Sequence, residues 1–226
     1  MRTIVITGGY GRLGRCFAQA FIANGDAVIL TGRDAKRLET ATAELGAAAC
    51  HQLDHAIPEQ VTAFAAWLGE HHPQVDVLIN NAARMGGGGS LADVDAGIFA
   101  DMVHSNICGP FYMAQALLPH LTRSDAPLVI NISSTSGHRA DAESAAYNAS
   151  KFGLMGLSEA LRKDLRRQGI RVTTLSPSSI NYAAEAATGG KGARLHGDDI
   201  AAAALWLASA PPRTVVRDIE LWATNP

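Results

Sequence analysis

Short apolar runs rich in β-branched residues alternate with helix-patterned stretches along the whole chain. Strands are expected at Thr3–Thr7, Ala27–Thr31, Ala48–Gln52, Asp76–Asn80, Pro127–Ser133, Ile170–Ser176 and Val215–Trp222. Helices are expected between them, at Arg12–Asn24, Ala35–Leu45, Pro58–Glu70, Ala96–Leu121, Ala145–Gln168 and Asp198–Ala208. Several strand runs are apolar at consecutive positions, as expected of strands covered on both faces. Parallel strands joined through helices need right-handed crossovers, so the alternation leaves few architectures open. The expected fold is α/β: a doubly wound, Rossmann-like parallel sheet of about seven strands with helices on both faces. Neither a linker nor an internal repeat divides the 226 residues, so one domain is expected, with a short substrate lid near 183–197.

Charge and composition exclude several partners. A formal charge of −2 provides no basic field for nucleic acid or anionic membrane. No apolar run reaches the ~18–20 residues of a membrane span. The first residues read as a strand and a glycine turn rather than a leader peptide. Cys16, Cys50 and Cys108 are odd in number and far apart, which fits reduced thiols and a cytoplasmic protein. The paired histidines His71-His72 and His51 with His55 lack the carboxylates or thiolates that would complete a metal site, so no metal is expected.

The first strand runs into Thr7-Gly8-Gly9-Tyr10-Gly11-Arg12-Leu13-Gly14 and then into a helix. Glycines there let the backbone approach a pyrophosphate, and the helix start offers unpaired N–H groups and a positive dipole end. After the second strand comes Gly32-Arg33-Asp34, with no acidic residue at the strand end. An acid there would hold a ribose 2′-hydroxyl, whereas the Arg33 fork suits a 2′-phosphate. NADP(H) is therefore expected over NAD(H). Asp34 has two readings, as a partner of Arg33 or as the cap of the next helix.

Tyr147 and Lys151 stand four residues apart within helical patterning and so share one face. A phenol titrates near pH ~10, and a neighbouring ammonium lowers that value. A drop of about three units requires roughly 4 kcal/mol.

Taken together, these motifs resemble the short-chain dehydrogenase/reductase family in its compact form. Gly8 and Gly14 resemble its cofactor turn, Asp54 its adenine-binding aspartate, and Asn80-Asn81-Ala82-Ala83 its Asn-Asn-Ala-Gly segment. Asn106-Ile107-Cys108-Gly109 is similar to its catalytic asparagine segment, and Tyr147 follows Ser134 at the family's thirteen-residue spacing. The resemblance implies hydride transfer between a nicotinamide and a carbonyl or secondary alcohol. Tyr147 would exchange the proton, Lys151 would acidify it and hold the ribose, Ser134 would fix the substrate oxygen, and Asn106 would hold a relay water. It implies cofactor contacts from Gly8, Tyr10, Gly11, Arg12, Leu13, Gly14, Arg33, Asp54, Asn81, Ala82, Tyr147, Lys151, Pro177 and Ile180. Pairing of the long helices into a homodimer or homotetramer is also implied.

The sequence departs from the pattern in places. Arg12 stands where compact members carry the middle glycine; Ser178 follows Pro177 in place of glycine, and Tyr182 stands in place of threonine. The Gly8, Gly11, Gly14 spacing is nearer a sugar-nucleotide-modifying branch. A cofactor-sensing protein without turnover is the other competing reading. His138 and Arg139 follow the serine on a loop expected to border the pocket, and Lys191 and Arg194 accompany them as candidates for a negative substrate.

Overall fold

The computed structural model describes residues 1–86, 88–182 and 194–224. In chain order come β1 (Thr3–Thr7), α1 (Arg12–Ala23), β2 (Ala27–Gly32), α2 (Ala35–Leu45), β3 (Ala49–Gln52), α3 (Pro58–His71) and β4 (Val77–Asn80). Next are α4 (Ala96–Val103), a π-helical turn (His104–Cys108), α5 (Gly109–Ala116), α6 (Leu118–Leu121), β5 (Leu128–Ile132) and a 3-10 turn (Thr135–Gly137). The chain continues with α7 (Ala145–Leu165), a second 3-10 turn (Arg166–Gln168), β6 (Arg171–Pro177), β7 (Ile180–Asn181), β8 (Leu195–His196), α8 (Gly197–Ser209) and β9 (Asp218–Leu221).

Seven strands form one parallel sheet in the order β3-β2-β1-β4-β5-β6-β9. The order turns around between β1 and β4, where Val5 lies beside Leu78. A crevice opens at the carboxyl ends of strands at such a switch point. Strand alternation sends Ile4 and Ile6 to one core and Val5 to the other. The first core takes Phe17 and Phe21 of α1, Leu38 of α2 and Ile200 and Ala204 of α8. The second takes Phe64 and Leu68 of α3, Met113 of α5 and Leu165 of α7. Phe17, Phe21 and Phe64 are wholly buried, and burying a side chain of this kind contributes about 1.5–3 kcal/mol.

The expected alternation is present, with three differences. The long helix at Ala96–Leu121 is interrupted by the π-helical turn and again at Leu117. Loosening the turn frees a carbonyl, and buried His55 takes it, with Nε2 3.0 Å from Ser105 O. The imidazole is seated against Gly109, where a Cβ would lie 2.1 Å from His55 Cδ2. Pro110, the second residue of α5, brings no N–H to pair with a carbonyl of the preceding π-helical turn. The last strand is shorter than Val215–Trp222, and a two-stranded pair, β7 with β8, was not expected. The lid expected near 183–197 falls on residues 183–193 outside the described ones, apart from 194–197 at β8 and the start of α8. All three cysteines are free and partly buried. Among the described residues no helix is long and apolar enough to cross a membrane.

Candidate active site

Gly8 adopts φ +65, and a Cβ there would press on Ala82 at 3.1 Å. That left-handed turn lets Gly11 N donate to Gly8 O at 2.9 Å. A Cβ on Gly14 would lie 2.3 Å from Gly8 O, so turn and helix can meet this closely only through glycine. Gly11 caps α1 without a side chain, and no acid occupies the first turn. The first helical bond is Arg15 N to Gly11 O, so the N–H groups of residues 12–14 precede the ladder and lack intrahelical partners. Thr7 ties the turn to the end of β4: its Oγ1 accepts from Asn81 N (3.0 Å) and Ala82 N (2.9 Å), and Asn81 Nδ2 donates to Thr7 O at 2.9 Å.

At the end of β2, Tyr10 fills the space that a side chain at position 32 would enter. A Cβ on Gly32 would lie 2.4 Å from Tyr10 Cε1. The Arg37 guanidinium stacks on that ring, 4.4 Å from its centroid. Asp34 caps α2, accepting from Arg37 N at 3.0 Å. Arg33 makes a loose contact with Asp54 at 3.9 Å, an exposed pair worth little. Arg37 was missed in the sequence; its signal is the first turn of α2, one helical turn beyond Arg33.

Beyond β5 the backbone passes through extended Ser134, whose Oγ accepts from Ser136 N at 3.1 Å. The Ser134 side chain is near enough to the Tyr147 phenol to hold its pKa down. Lys151 lies on the same face of α7, with Nζ 5.6 Å from the Tyr147 ring centroid. Its ammonium is buried and donates to Ile132 O at 2.8 Å. Burial lowers the Lys151 pKa to about 8. Burial raises the Tyr147 phenol above its ordinary value, with Ser134 opposing it. In this arrangement the Lys151 ammonium is turned to the backbone carbonyl of Ile132.

Asn106 lies behind the wall of the cleft rather than on it. Its Oδ1 accepts from Arg84 N at 2.7 Å, while Nδ2 donates to Arg84 O and Ser150 Oγ, each at 3.0 Å. Ser150 Oγ in turn donates to Tyr147 O at 2.8 Å. The asparagine side chain thus braces the π-helical turn against α7.

One cleft of about 1590 Å³ joins both ends of the site. All of the expected cofactor residues line it, from the Gly8–Gly14 turn through Arg33, Asp54, Asn81 and Ala82 to Tyr147, Lys151, Pro177 and Ile180, together with Ser134. Of the pair after the serine only Arg139 lines the cleft. His138 turns to β9, with Nε2 3.1 Å from Asp218 Oδ2 and 3.2 Å from Ser176 Oγ. Arg139 lies over the Trp222 ring, 4.7 Å from its centroid. Arg194 also lines the cleft, whereas Lys191 lies outside the described residues.

Three comparisons bear on this geometry. The family model described as "short chain dehydrogenase" matches residues 2–189. Serine 3-dehydrogenase of Rhizobium radiobacter is 34% identical over 235 residues, spanning 99% of this chain and 94% of that protein. The NADP-dependent 3-hydroxy acid dehydrogenase YdfG of Salmonella typhi is 30% identical over 231 residues, spanning 96% and 93%. Among solved structures, an alcohol dehydrogenase from Thermococcus sibiricus complexed with 5-hydroxy-NADP superposes with a TM-score of 0.88 at 26% identity, covering 100% of this chain and 98% of that one.

Proposed function

The chain belongs to the short-chain dehydrogenase family and is an NAD(P)-dependent oxidoreductase; from that premise we propose that it uses NADP(H) to interconvert a small 3-hydroxy acid and its carbonyl form. The convergence of Ser134, Tyr147 and Lys151 on the cleft at the sheet's carboxyl edge carries the reading.

The residues fit a dinucleotide. The turn closes to distances only glycine permits, and the first N–H groups of α1 are left for phosphate oxygens. Tyr10 takes the place of an acidic side chain at the end of β2, and Arg33 and Arg37 supply forks for a 2′-phosphate. A ligand pocket usually measures ~300–1,000 Å³, so the cleft has room for a cofactor and a substrate together. When bound, the nicotinamide supplies or accepts the hydride.

In the reducing direction Tyr147 passes its phenolic proton to the substrate oxygen, and in oxidation it takes that proton back. Ser134 hydrogen-bonds the same oxygen and fixes its distance from the phenol. Lys151 is the cation on the same helix face, available to complete the acidification that burial opposes. Asn106 holds α7 at the right height through Ser150. Arg139 supports an anionic substrate: it is stacked on Trp222, and among the described residues it has no carboxylate partner. The names of two relatives, a serine and a 3-hydroxy acid dehydrogenase, point the same way.

The test is turnover of 3-hydroxy acids with NADP, followed at the nicotinamide absorbance, in the parent and in Tyr147→Phe. Loss of the proton donor should lower turnover by about 10²–10⁴, with NADPH binding intact. Unchanged turnover refutes the proton-transfer role.

A further inference from the structure

Two positions where the sequence leaves the compact family pattern meet in space. Arg12 opens α1 in place of a glycine, and Tyr182 follows β7 in place of a threonine. The Arg12 guanidinium carbon lies over the Tyr182 ring, 5.5 Å from its centroid. Both side chains line the cleft, one from the phosphate turn and the other from the segment after β6.

The ring is seated from behind. A Cβ on Gly197, the first residue of α8, would lie 3.5 Å from Tyr182 Cε1 and 2.6 Å from Cys16 Sγ. Tyr182 is therefore wedged between the starts of α1 and α8, and its phenol is raised chiefly by burial. Arg12 itself is exposed, and among the described residues it pairs with no carboxylate. An exposed arginine ordinarily samples many rotamers, and ordering it on binding costs affinity. Stacked on a fixed aromatic face, its fork is already aimed.

We propose that Arg12 and Tyr182 form a clasp on the cofactor's pyrophosphate, with Tyr182 the positioning residue and Arg12 the phosphate ligand. A side-chain clasp here takes over from the glycine that the pattern has at position 12. The inference rests on the dinucleotide reading above and adds to it a division of labour. Since the pyrophosphate is common to both coenzymes, the clasp acts on NADPH and NADH alike, unlike Arg33.

The experiment titrates NADPH and NADH into the parent protein, Arg12→Met, Tyr182→Ala, Tyr182→Phe and the Arg12→Met/Tyr182→Ala double variant. Nicotinamide fluorescence reports Kd, and thermal unfolding checks the fold. A cation–π contact of about 0.5–2 kcal/mol corresponds to roughly two- to thirtyfold in affinity. Tyr182→Ala should weaken both dinucleotides within that range, and Arg12→Met should weaken both about ten- to a hundredfold, the range of one charge-assisted phosphate contact. The double variant should be no weaker than the worse single one, and Tyr182→Phe should bind like the parent. If Tyr182→Ala unfolds, Tyr182→Leu fills the wedge without a π face and carries the same expectation. Losses that multiply in the double variant overturn the clasp, as does a Tyr182→Phe variant as weak as Tyr182→Ala. A parent protein that binds neither dinucleotide overturns the cofactor reading itself, which distinguishes the two failures.

Discussion

Replacing Lys151 with methionine separates what this residue costs the fold from what it does for the reaction. Burial lowers its pKa from 10.5 to about 8. A depressed lysine pKa means that the unfolded chain holds the proton more tightly than the folded one. The penalty is therefore present in full below about pH 8 and fades as the pH rises toward the unfolded value near ~10.5. Its size is about 3 kcal/mol. Methionine removes that penalty and keeps most of the volume, but it leaves Ile132 O without the donor now 2.8 Å away, a loss of about 1 kcal/mol. The net expectation is a variant about 2 kcal/mol more stable at pH 7, or roughly 4–8 °C in Tm for a chain of this size. Near pH 10.5 the advantage should vanish or reverse. Urea denaturation and thermal scans of both proteins at the two pH values read this difference, and other titrating groups cancel between them. Turnover should collapse in the same variant, so stability rises where activity is lost. A Lys151→Met protein no more stable than the parent at pH 7, or a gap that does not narrow with pH, would refute the burial reasoning.

Arg33→Ala should weaken NADPH about ten- to a hundredfold, the range of one charge-assisted phosphate contact, while leaving NADH nearly unchanged; equal losses in paired titrations would remove the basis for the coenzyme preference. Arg139→Met should raise the KM for a 3-hydroxy acid about tenfold or more without affecting a neutral secondary alcohol, and steady-state kinetics on both substrates check it. A parallel rise for both would show that Arg139 shapes the wall rather than reading charge.

The strand and helix alternation was legible because both faces of the sheet are covered, so consecutive apolar residues such as Val77, Leu78 and Ile79 carry an unbroken signal. The glycine turn and the Tyr147, Lys151 spacing were legible for a related reason: short motifs fix local geometry. The break in the long helix was not, because its cause lies in distant partners. Arg84 backbone groups and His55 stabilise the π-helical turn from other parts of the chain. Arg37 stayed hidden since its role depends on Tyr10 folding back over Gly32. The upward shift of the Tyr147 phenol was not legible either. Sequence spacing brings an ammonium near a phenol, but burial and the competing carbonyl of Ile132 decide the balance.

In the proposed function, coenzyme choice and proton chemistry sit on different halves of the sheet. Arg33 and Arg37 hang from β2 and the start of α2, while Ser134 follows β5 and Tyr147 belongs to α7, with β1 and β4 between them. Substitutions that far apart act almost independently. If those roles hold, a lineage, or an engineer, should be able to move this catalyst from one cellular reductant pool to the other by editing a single crossover, without retuning the step that makes or breaks the carbon–hydrogen bond.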